Sequence, residues 1–148
     1  MQRSHRALPI GAEPQSGGTH FRVWAPASSS VVLQLAARAD SDDFTSHELK
    51  AEGDGYFSGM VSEAQAGMHY RYQLDSGVFP DPASRFQPEG PHGPSRIVDA
   101  STFCWTDRDW AGLPPQGLVI YEMHIGSFTP EGTWSAARAQ LPELASLG

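Results

Sequence analysis

Residues His69–Leu74, with the sequence HYRYQL, alternate between side chains that suit a protein core and side chains that suit water. Successive residues of a β-strand point to opposite faces, so Tyr70, Tyr72 and Leu74 share one face of an extended chain. This period of two predicts a half-buried strand whose two tyrosines face inward.

Similar short segments surround this strand. They are 20–24, which ends at Ala25 and Pro26, then 31–35, the weaker and exposed 46–51, and 56–61, which follows the turn at 52–55. Residues 95–98 suit a last strand, and we find no helical period before residue 130. Short strands with turn residues between them are typical of an antiparallel sandwich of about 100 residues. We therefore predict an all-β sandwich domain over residues 1–100.

The proline-rich segment 80–94 is predicted to be an ordered loop, because it contains three specific anchors, Arg85, Phe86 and His92. Two interpretations of this loop are open. In one, Arg85 contacts a substrate of a larger enzyme. In the other, which we favour, the loop is a strap at a domain interface, with Phe86 as its anchor and Arg85 paired with a carboxylate.

Residues 101–117 suit a linker, and the pattern then changes. Residues 118–123 are nearly all apolar, which is typical of a strand buried on both faces in a parallel sheet. Thr133 is a plausible N-cap for a helix. The apolar residues that follow at helical spacing are Trp134, Ala137, Leu141, Leu144 and Leu147. Pro142 should kink or split this helix. Residues 118–148 therefore suggest one βα unit without a second strand.

Composition excludes several classes of partner. The formal net charge is −7, so we expect no nucleic acid and no anionic membrane surface as a partner. Cys104 is the single cysteine, so an internal disulfide is impossible, and a cytoplasmic location is expected. The histidines have no ligand-like spacing, so we predict no metal site, and we expect no cofactor.

Three segments resemble those of one family, the maltooligosyltrehalose trehalohydrolases of glycoside hydrolase family 13. Residues 21–26 (FRVWAP) are similar to the opening strand of its N-terminal sandwich, and residues 121–133 to the first strand and loop of its catalytic barrel. Both segments also occur in branching and debranching relatives. The loop at 80–95 is the more specific match. The resemblance covers residues 10–148, the N-terminal portion of such an enzyme.

The resemblance implies an immunoglobulin-like sandwich of the carbohydrate-binding-module family 48 type, followed by the first βα unit of a truncated (β/α)8 barrel at 118–148. It also implies a parent enzyme that cleaves the α-1,4 bond beside the trehalose end of maltooligosyltrehalose by the retaining mechanism, with two carboxyl groups. The family's catalytic carboxylates lie on later barrel strands. No residue of this chain would inherit a catalytic role, so we expect the chain itself to be inactive.

Candidate binding residues are therefore aromatic. Trp24, Trp105 and Trp110 are candidates for stacking on a sugar, and the alternative for each is packing in the core or between domains. With Arg85, they make up the predicted substrate-binding set.

The predicted domain-interface set consists of Phe86, Tyr121, Glu122 and His124. Glu122 could instead suggest a general acid. A lone carboxylate performs no glycoside chemistry, so we interpret it as a structural residue that the remainder of the catalytic barrel would hold.

Three functional hypotheses follow. The first is a sandwich fragment of a trehalose-releasing α-glucan hydrolase, with the remainder of the barrel as its partner. The second is a stand-alone module that binds α-glucan or maltooligosaccharide. The third is a truncated product whose apolar residues between 118 and 147 promote association.

Overall fold

The computed structural model of the protein describes residues 6–147. The chain forms two compact units, and the boundary lies between Cys104 and Trp105. The predicted linker at 101–117 spans this boundary. The predicted domain limits stay a prediction, and Gly148, the end of the predicted βα unit, lies outside the described residues.

The first unit is an all-β structure. Its strands in the described part of the chain are β1 (Gly11–Gln15), β2 (Gly18–Trp24), β3 (Val32–Ala36), β4 (Thr45–Glu48), β5 (Lys50–Gly53), β6 (Tyr56–Val61), β7 (His69–Leu74), β8 (Gly77–Phe79) and β9 (Ser95–Arg96). A single 3-10 turn at Ala100–Thr102 follows them, capped by Asp99.

These strands form two antiparallel sheets. One sheet has the order β1-β2-β6-β5. The other has the order β4-β3-β7, and β8 and β9 pair with successive parts of β7. The architecture is the predicted immunoglobulin-like antiparallel sandwich, and the strands expected at 20–24, 31–35, 56–61 and 69–74 are confirmed.

The core lies between the two sheets. Phe21 of β2 packs edge-on against Tyr70 of β7, with ring centroids 5.0 Å apart and an interplanar angle of 62°. Leu33 and Leu35 of β3 are also fully buried beside them. Tyr72 is 1% exposed, so the prediction that both tyrosines of β7 face inward is confirmed.

The prediction of a single strand at 46–51 is wrong, whereas the predicted exposure is confirmed at most of its residues. The chain pairs first with β3 as β4, and then crosses to the other sheet, where it pairs with β6 as β5. Leu49 lies at the crossing and is buried, and its backbone N–H donates to the Val31 carbonyl at 2.9 Å. Leu49 therefore joins the core between the sheets.

Strand β1 was not predicted from the sequence pattern. It contains Pro14, which lacks the N–H that a central strand needs, so the segment does not read as a strand. In the structure β1 lies at the edge of its sheet, where this loss is tolerated. Ala12 and Glu13 are nevertheless buried.

Within residues 105–147 the second unit forms three short helices, α1 (Ile125–Phe128), α2 (Trp134–Ala139) and α3 (Leu141–Ser146). The Thr133 hydroxyl accepts a hydrogen bond from the Ala136 N–H, which confirms the N-cap. Pro142 lies in the first turn of α3, so the predicted break in the helical segment is confirmed as well. None of the helices in the described residues is long and apolar enough to cross a membrane.

The predicted strand at 118–123 is not formed. Val119 and Ile120 are 84% and 85% exposed. A strand of a parallel sheet is stabilised by neighbours on both sides, and residues 105–147 contain no other strand to pair with it. Only the helical part of the predicted βα unit is formed, and its assignment to a barrel stays a prediction. The apolar side chains of Trp134 and Leu147 are exposed. Self-association through the apolar residues between 118 and 147 stays a prediction.

Candidate functional site

A cavity of about 560 Å³ opens on the first unit. It lies where three segments meet: the chain just after β2, the turn between β7 and β8, and the proline-rich loop that begins at Pro80. All of its lining residues belong to the sandwich. Pockets of about 300–1,000 Å³ are typical of small-molecule sites.

Trp24 forms one wall of the cavity. Its side chain is 55% exposed, so it does not belong to the core between the sheets. Its indole N–H donates to the Asp54 carbonyl at 3.1 Å. Asp54 is a turn residue with a positive φ of 51°. The backbone N–H of Ala25 donates to the Gly55 carbonyl of the same turn at 2.8 Å. These contacts fix the orientation of an exposed aromatic ring.

The floor of the cavity contains the buried carboxylate of Asp81. It accepts a hydrogen bond from the Tyr70 hydroxyl at 2.7 Å and another from the Ala83 backbone N–H at 2.8 Å. The backbone N–H of Asp81 donates to the Ser95 hydroxyl at 3.0 Å. Burial raises the pKa of Asp81, and the bond from Tyr70 opposes that rise only in part. Asp81 thus ties the start of the loop to β7 and β9.

Tyr72 also lines the floor, and its hydroxyl has no hydrogen-bond partner among the described residues. Burial, and next the charge of Asp81, raise the pKa of Tyr72, so the hydroxyl stays protonated. A buried polar atom without a partner is uncommon in native proteins. The neighbouring Asp81 carboxylate, which also helps to raise the pKa of Tyr72, is the candidate partner of this hydroxyl.

The rim is held together by Asp75 in the β7–β8 turn. Its carboxylate accepts a hydrogen bond from the Ser29 backbone N–H at 2.7 Å, and this bond lowers the pKa of Asp75. The turn and the chain after β2 are thereby connected across the cavity. Phe79, at the end of β8, is 44% exposed and forms another wall.

The loop at 80–94 is strapped to the sandwich. An N–H of the Arg85 guanidinium donates to the Ala12 carbonyl of β1 at 3.3 Å, rather than to the carboxylate that the sequence predicted as its partner. The Phe86 carbonyl accepts from the Arg96 backbone N–H at 2.9 Å, and the Arg96 guanidinium lies 5.8 Å from the Phe86 ring centroid. Arg85 does not line the cavity. Roles for Arg85 at a substrate and for Phe86 at a domain interface stay predictions.

The other candidate residues lie in the second unit. Trp105 and Trp110 are largely exposed. The Tyr121 ring contacts the Phe128 ring edge-on, with centroids 6.3 Å apart. Glu122 is exposed, and His124 Nδ1 lies 3.3 Å from the Ser127 hydroxyl. The roles predicted for these residues, at a substrate or at a domain interface, stay predictions.

The sequence did not indicate Asp81 and Phe79 as site residues, and it assigned Tyr72 to the core alone. The available signal for Asp81 was a carboxylate between two prolines, in a segment already singled out as specific. Within residues 6–147, no three His, Cys, Asp or Glu side chains gather as a metal group would require. The cavity combines aromatic walls with a few fixed polar groups, which is the general composition of a small-molecule binding site.

Comparison with known proteins defines the class. Residues 9–84, just over half of the chain, match the family model of carbohydrate-binding module 48, the isoamylase N-terminal domain. The chain therefore belongs to the carbohydrate-binding module 48 family.

Individual relatives are more specific. Over 141 residues the chain is 39% identical to the malto-oligosyltrehalose trehalohydrolase of Deinococcus radiodurans, covering 94% of this chain and 22% of that protein. It is 37% identical to the enzyme of that name from Saccharolobus solfataricus, covering 95% of this chain and 24% of the relative. The predicted resemblance to the N-terminal portion of trehalohydrolases is confirmed. The chain spans less than a quarter of the length of these relatives.

A solved structure shows the same likeness. The crystal structure of a putative alpha amylase from Salmonella typhimurium superposes with a TM-score of 0.79 and is 42% identical, covering 95% of this chain and 23% of that one. A pullulanase from Paenibacillus barengoltzii, at 21% identity and a TM-score of 0.55, shows the fold alone.

Proposed function

We propose that this chain is the N-terminal sandwich portion of a trehalose-releasing α-glucan hydrolase. The parent enzyme would cleave the α-1,4 bond beside the trehalose end of maltooligosyltrehalose by the retaining mechanism. The observation that carries the proposal is the 39% identity to a trehalohydrolase over 94% of this chain. A cytoplasmic location stays a prediction.

The chain by itself is proposed to be inactive. Retaining hydrolysis uses two carboxyl groups about 5–5.5 Å apart, one as nucleophile and one as acid and base. The Asp81 carboxylate is buried and accepts two hydrogen bonds that hold the loop in place. Glu122 is exposed and belongs to the second unit. Neither residue has the position of a catalytic carboxylate. The role of the sandwich in the parent would be to support the barrel and shape its substrate cleft.

A chimera tests this proposal. The corresponding N-terminal portion of the Deinococcus radiodurans enzyme is replaced by this chain, and trehalose release from maltooligosyltrehalose is measured. We expect turnover by the chimera and none by the 148-residue chain alone. The relative without any N-terminal portion is the control for what the sandwich contributes. Turnover by this chain alone, or a folded chimera without activity, would contradict the proposal.

A second candidate function is a module that binds α-glucan independently of catalysis. It is favoured by the cavity beside Trp24, which is complete within the first unit. The partner would be an α-glucan or a maltooligosaccharide. Titration of the chain with maltoheptaose, followed by tryptophan fluorescence, tests it, and the absence of any saturable response would count against it.

A further inference from the structure

We propose that Arg6, His20 and Glu13 form a pH-sensitive clasp, which ties the segment before β1 to the sandwich at neutral pH and releases it in mild acid. All three residues belong to the first unit, and none of them lines the cavity beside Trp24. The clasp therefore depends on neither of the proposed functions.

Arg6 is the centre of the clasp. Its guanidinium donates hydrogen bonds to the Leu8 carbonyl at 3.0 Å, to the Gly11 carbonyl at 2.8 Å and to the His20 carbonyl at 2.8 Å. The nitrogen that bonds the His20 carbonyl also lies 2.7 Å from His20 Nδ1. The Arg6 side chain is only 11% exposed, so these bonds are largely shielded from water.

Glu13 of β1 holds the same segment. Its carboxylate accepts hydrogen bonds from the backbone N–H groups of Ala7 at 3.0 Å and Leu8 at 2.9 Å, and it lies 3.7 Å from the Arg6 guanidinium. Burial raises the pKa of Glu13, but these contacts together outweigh burial and hold the pKa below its usual value. Glu13 therefore stays charged over the pH range in which a histidine titrates.

The contact between Arg6 and His20 requires one protonation state of the imidazole. A guanidinium carries only hydrogen-bond donors, so His20 Nδ1 accepts a bond from Arg6 only while Nδ1 carries no proton. Protonation turns both ring nitrogens into donors and gives the ring a positive charge next to the guanidinium. The contact between Arg6 and His20 then breaks, because two donors of like charge face each other.

The surroundings of His20 oppose its protonation. Among the described residues, the charged side chains around it are Arg6 from the segment before β1, Glu13 from β1, Arg22 from β2 and Glu52 from β5. The uncharged Met60 is its cross-strand neighbour on β6. Burial, and next the charge of Arg6, lower the pKa of His20, and the two carboxylates oppose this only in part.

The direction of the pH effect follows from this lowered pKa. A histidine in an unfolded or open segment has a pKa of about 6.5. Opening of the clasp therefore takes up one proton between pH 6.5 and the lower pKa of the closed state, as linkage requires. The clasp contributes its full stability above about pH 6.5 and loses it as the pH falls. Within that window the equilibrium shifts toward the open clasp by about tenfold per pH unit.

A cavity of about 660 Å³ beside β9 is a weaker candidate for a new site, although Arg38 and Arg96 line it. The Arg38 guanidinium donates to both carboxylate oxygens of Asp40 at 3.0 Å. Arg96 Nε donates to the Gly67 carbonyl at 3.2 Å. These positive groups already have partners, so they indicate no anionic ligand.

The experiment is an NMR titration of the 148-residue chain from about pH 8 to about pH 4.5, a range that brackets histidine ionisation. The imidazole nitrogen resonances of His20 report its protonation, and amide exchange of Ala7 and Leu8 reports release of the segment. We expect His20 to titrate below about pH 6.5, and the protection factors of both amides to fall by about tenfold per pH unit in that window. These local measurements separate the clasp from Asp81, whose titration changes global stability with the opposite sign.

His20→Asn is the decisive variant. The asparagine side chain offers an amide oxygen as acceptor to Arg6 and does not titrate, so Ala7 and Leu8 should stay protected throughout the titration. His92→Asn replaces an exposed histidine of the proline-rich loop and is the matched control, which should retain the pH dependence.

Arg6→Ala keeps the test decisive if His20→Asn unfolds. It removes the donor and the nearest positive charge, so it should raise the titration midpoint of His20 and leave the Ala7 and Leu8 amides less protected even at pH 8. A midpoint of His20 at or above about pH 6.5 in the unsubstituted chain would overturn the inference. An unchanged midpoint in Arg6→Ala, or a loss of amide protection in acid that persists in His20→Asn, would overturn it as well.

Discussion

Replacing Tyr70 by Phe should destabilise the sandwich strongly for a change of one oxygen atom. The Tyr70 hydroxyl donates to the Asp81 carboxylate at 2.7 Å, and both residues are 1% exposed. Tyr70→Phe removes this donor. The buried carboxylate keeps the hydrogen bond from the Ala83 backbone N–H but loses the one from Tyr70.

The magnitude follows from the charge of the acceptor. A hydrogen bond to a charged group contributes about 1.5–3 kcal/mol, so we expect a loss of about 2 kcal/mol. For a sandwich of this size, 1 kcal/mol corresponds to about 4–8 °C in Tm, so Tm should fall by about 8–16 °C. The loss should be smaller in acid, because a protonated Asp81 no longer buries a charge.

The assay is urea denaturation of the 148-residue chain at neutral and at acid pH, followed by far-ultraviolet circular dichroism. Tyr56→Phe is the matched control. The Tyr56 ring is half-buried on the outer face, where the Arg22 guanidinium lies 3.9 Å from its centroid, and the change should stay within about 0.5 kcal/mol. A loss of less than about 0.5 kcal/mol in Tyr70→Phe would refute the reasoning, since the bond would then contribute no more than a surface contact.

Three other substitutions test different parts of the sandwich. Thr19→Val removes the buried hydroxyl that donates to the Ala64 carbonyl at 2.7 Å, and should cost about 1–3 kcal/mol in urea denaturation; no change would mean that the carbonyl finds another donor. Leu49→Ala should cost about 2–5 kcal/mol because Leu49 is 4% exposed, whereas exposed Lys50→Ala should be nearly neutral. Burial raises the pKa of Asp81, so the folded chain keeps a proton that the unfolded chain has lost above about pH 4, and stability falls as pH rises through that window. Asp81→Asn should abolish this dependence, and an unchanged pH profile of stability would contradict the assignment.

Most strands of the sandwich could be predicted because their signal is local. Alternation along β7 is visible in six residues and is enough to place Tyr70 and Tyr72 inside. The crossing at Leu49 could not be predicted in the same way. The chain stays extended on both sides of it, so the sequence pattern does not indicate that Thr45–Glu48 and Lys50–Gly53 pair with different sheets.

The cavity could not be predicted because it is assembled from distant segments. Trp24, Asp75 and His92 approach one another only after the two sheets have packed and the proline-rich loop is tied down. The sequence suggested Trp24 as a candidate, but its exposure depends on the turn at Asp54, thirty residues away. The burial of Asp81 likewise depends on Tyr70 of β7 as its donor.

The second unit shows the same distinction between local and distant contacts. This distinction bears on the proposed functions. The helical half of the predicted βα unit forms, because its N-cap and its hydrogen bonds lie within a few residues of one another. The strand half at 118–123 does not form, because its partners would be other strands of a barrel. Catalysis on such a barrel is assembled from loops that follow several strands, so it depends on contacts outside residues 105–147. The cavity beside Trp24 needs no such contacts, since all of its walls belong to the sandwich. Of the two proposed functions, sugar binding is the one that depends only on residues of the sandwich.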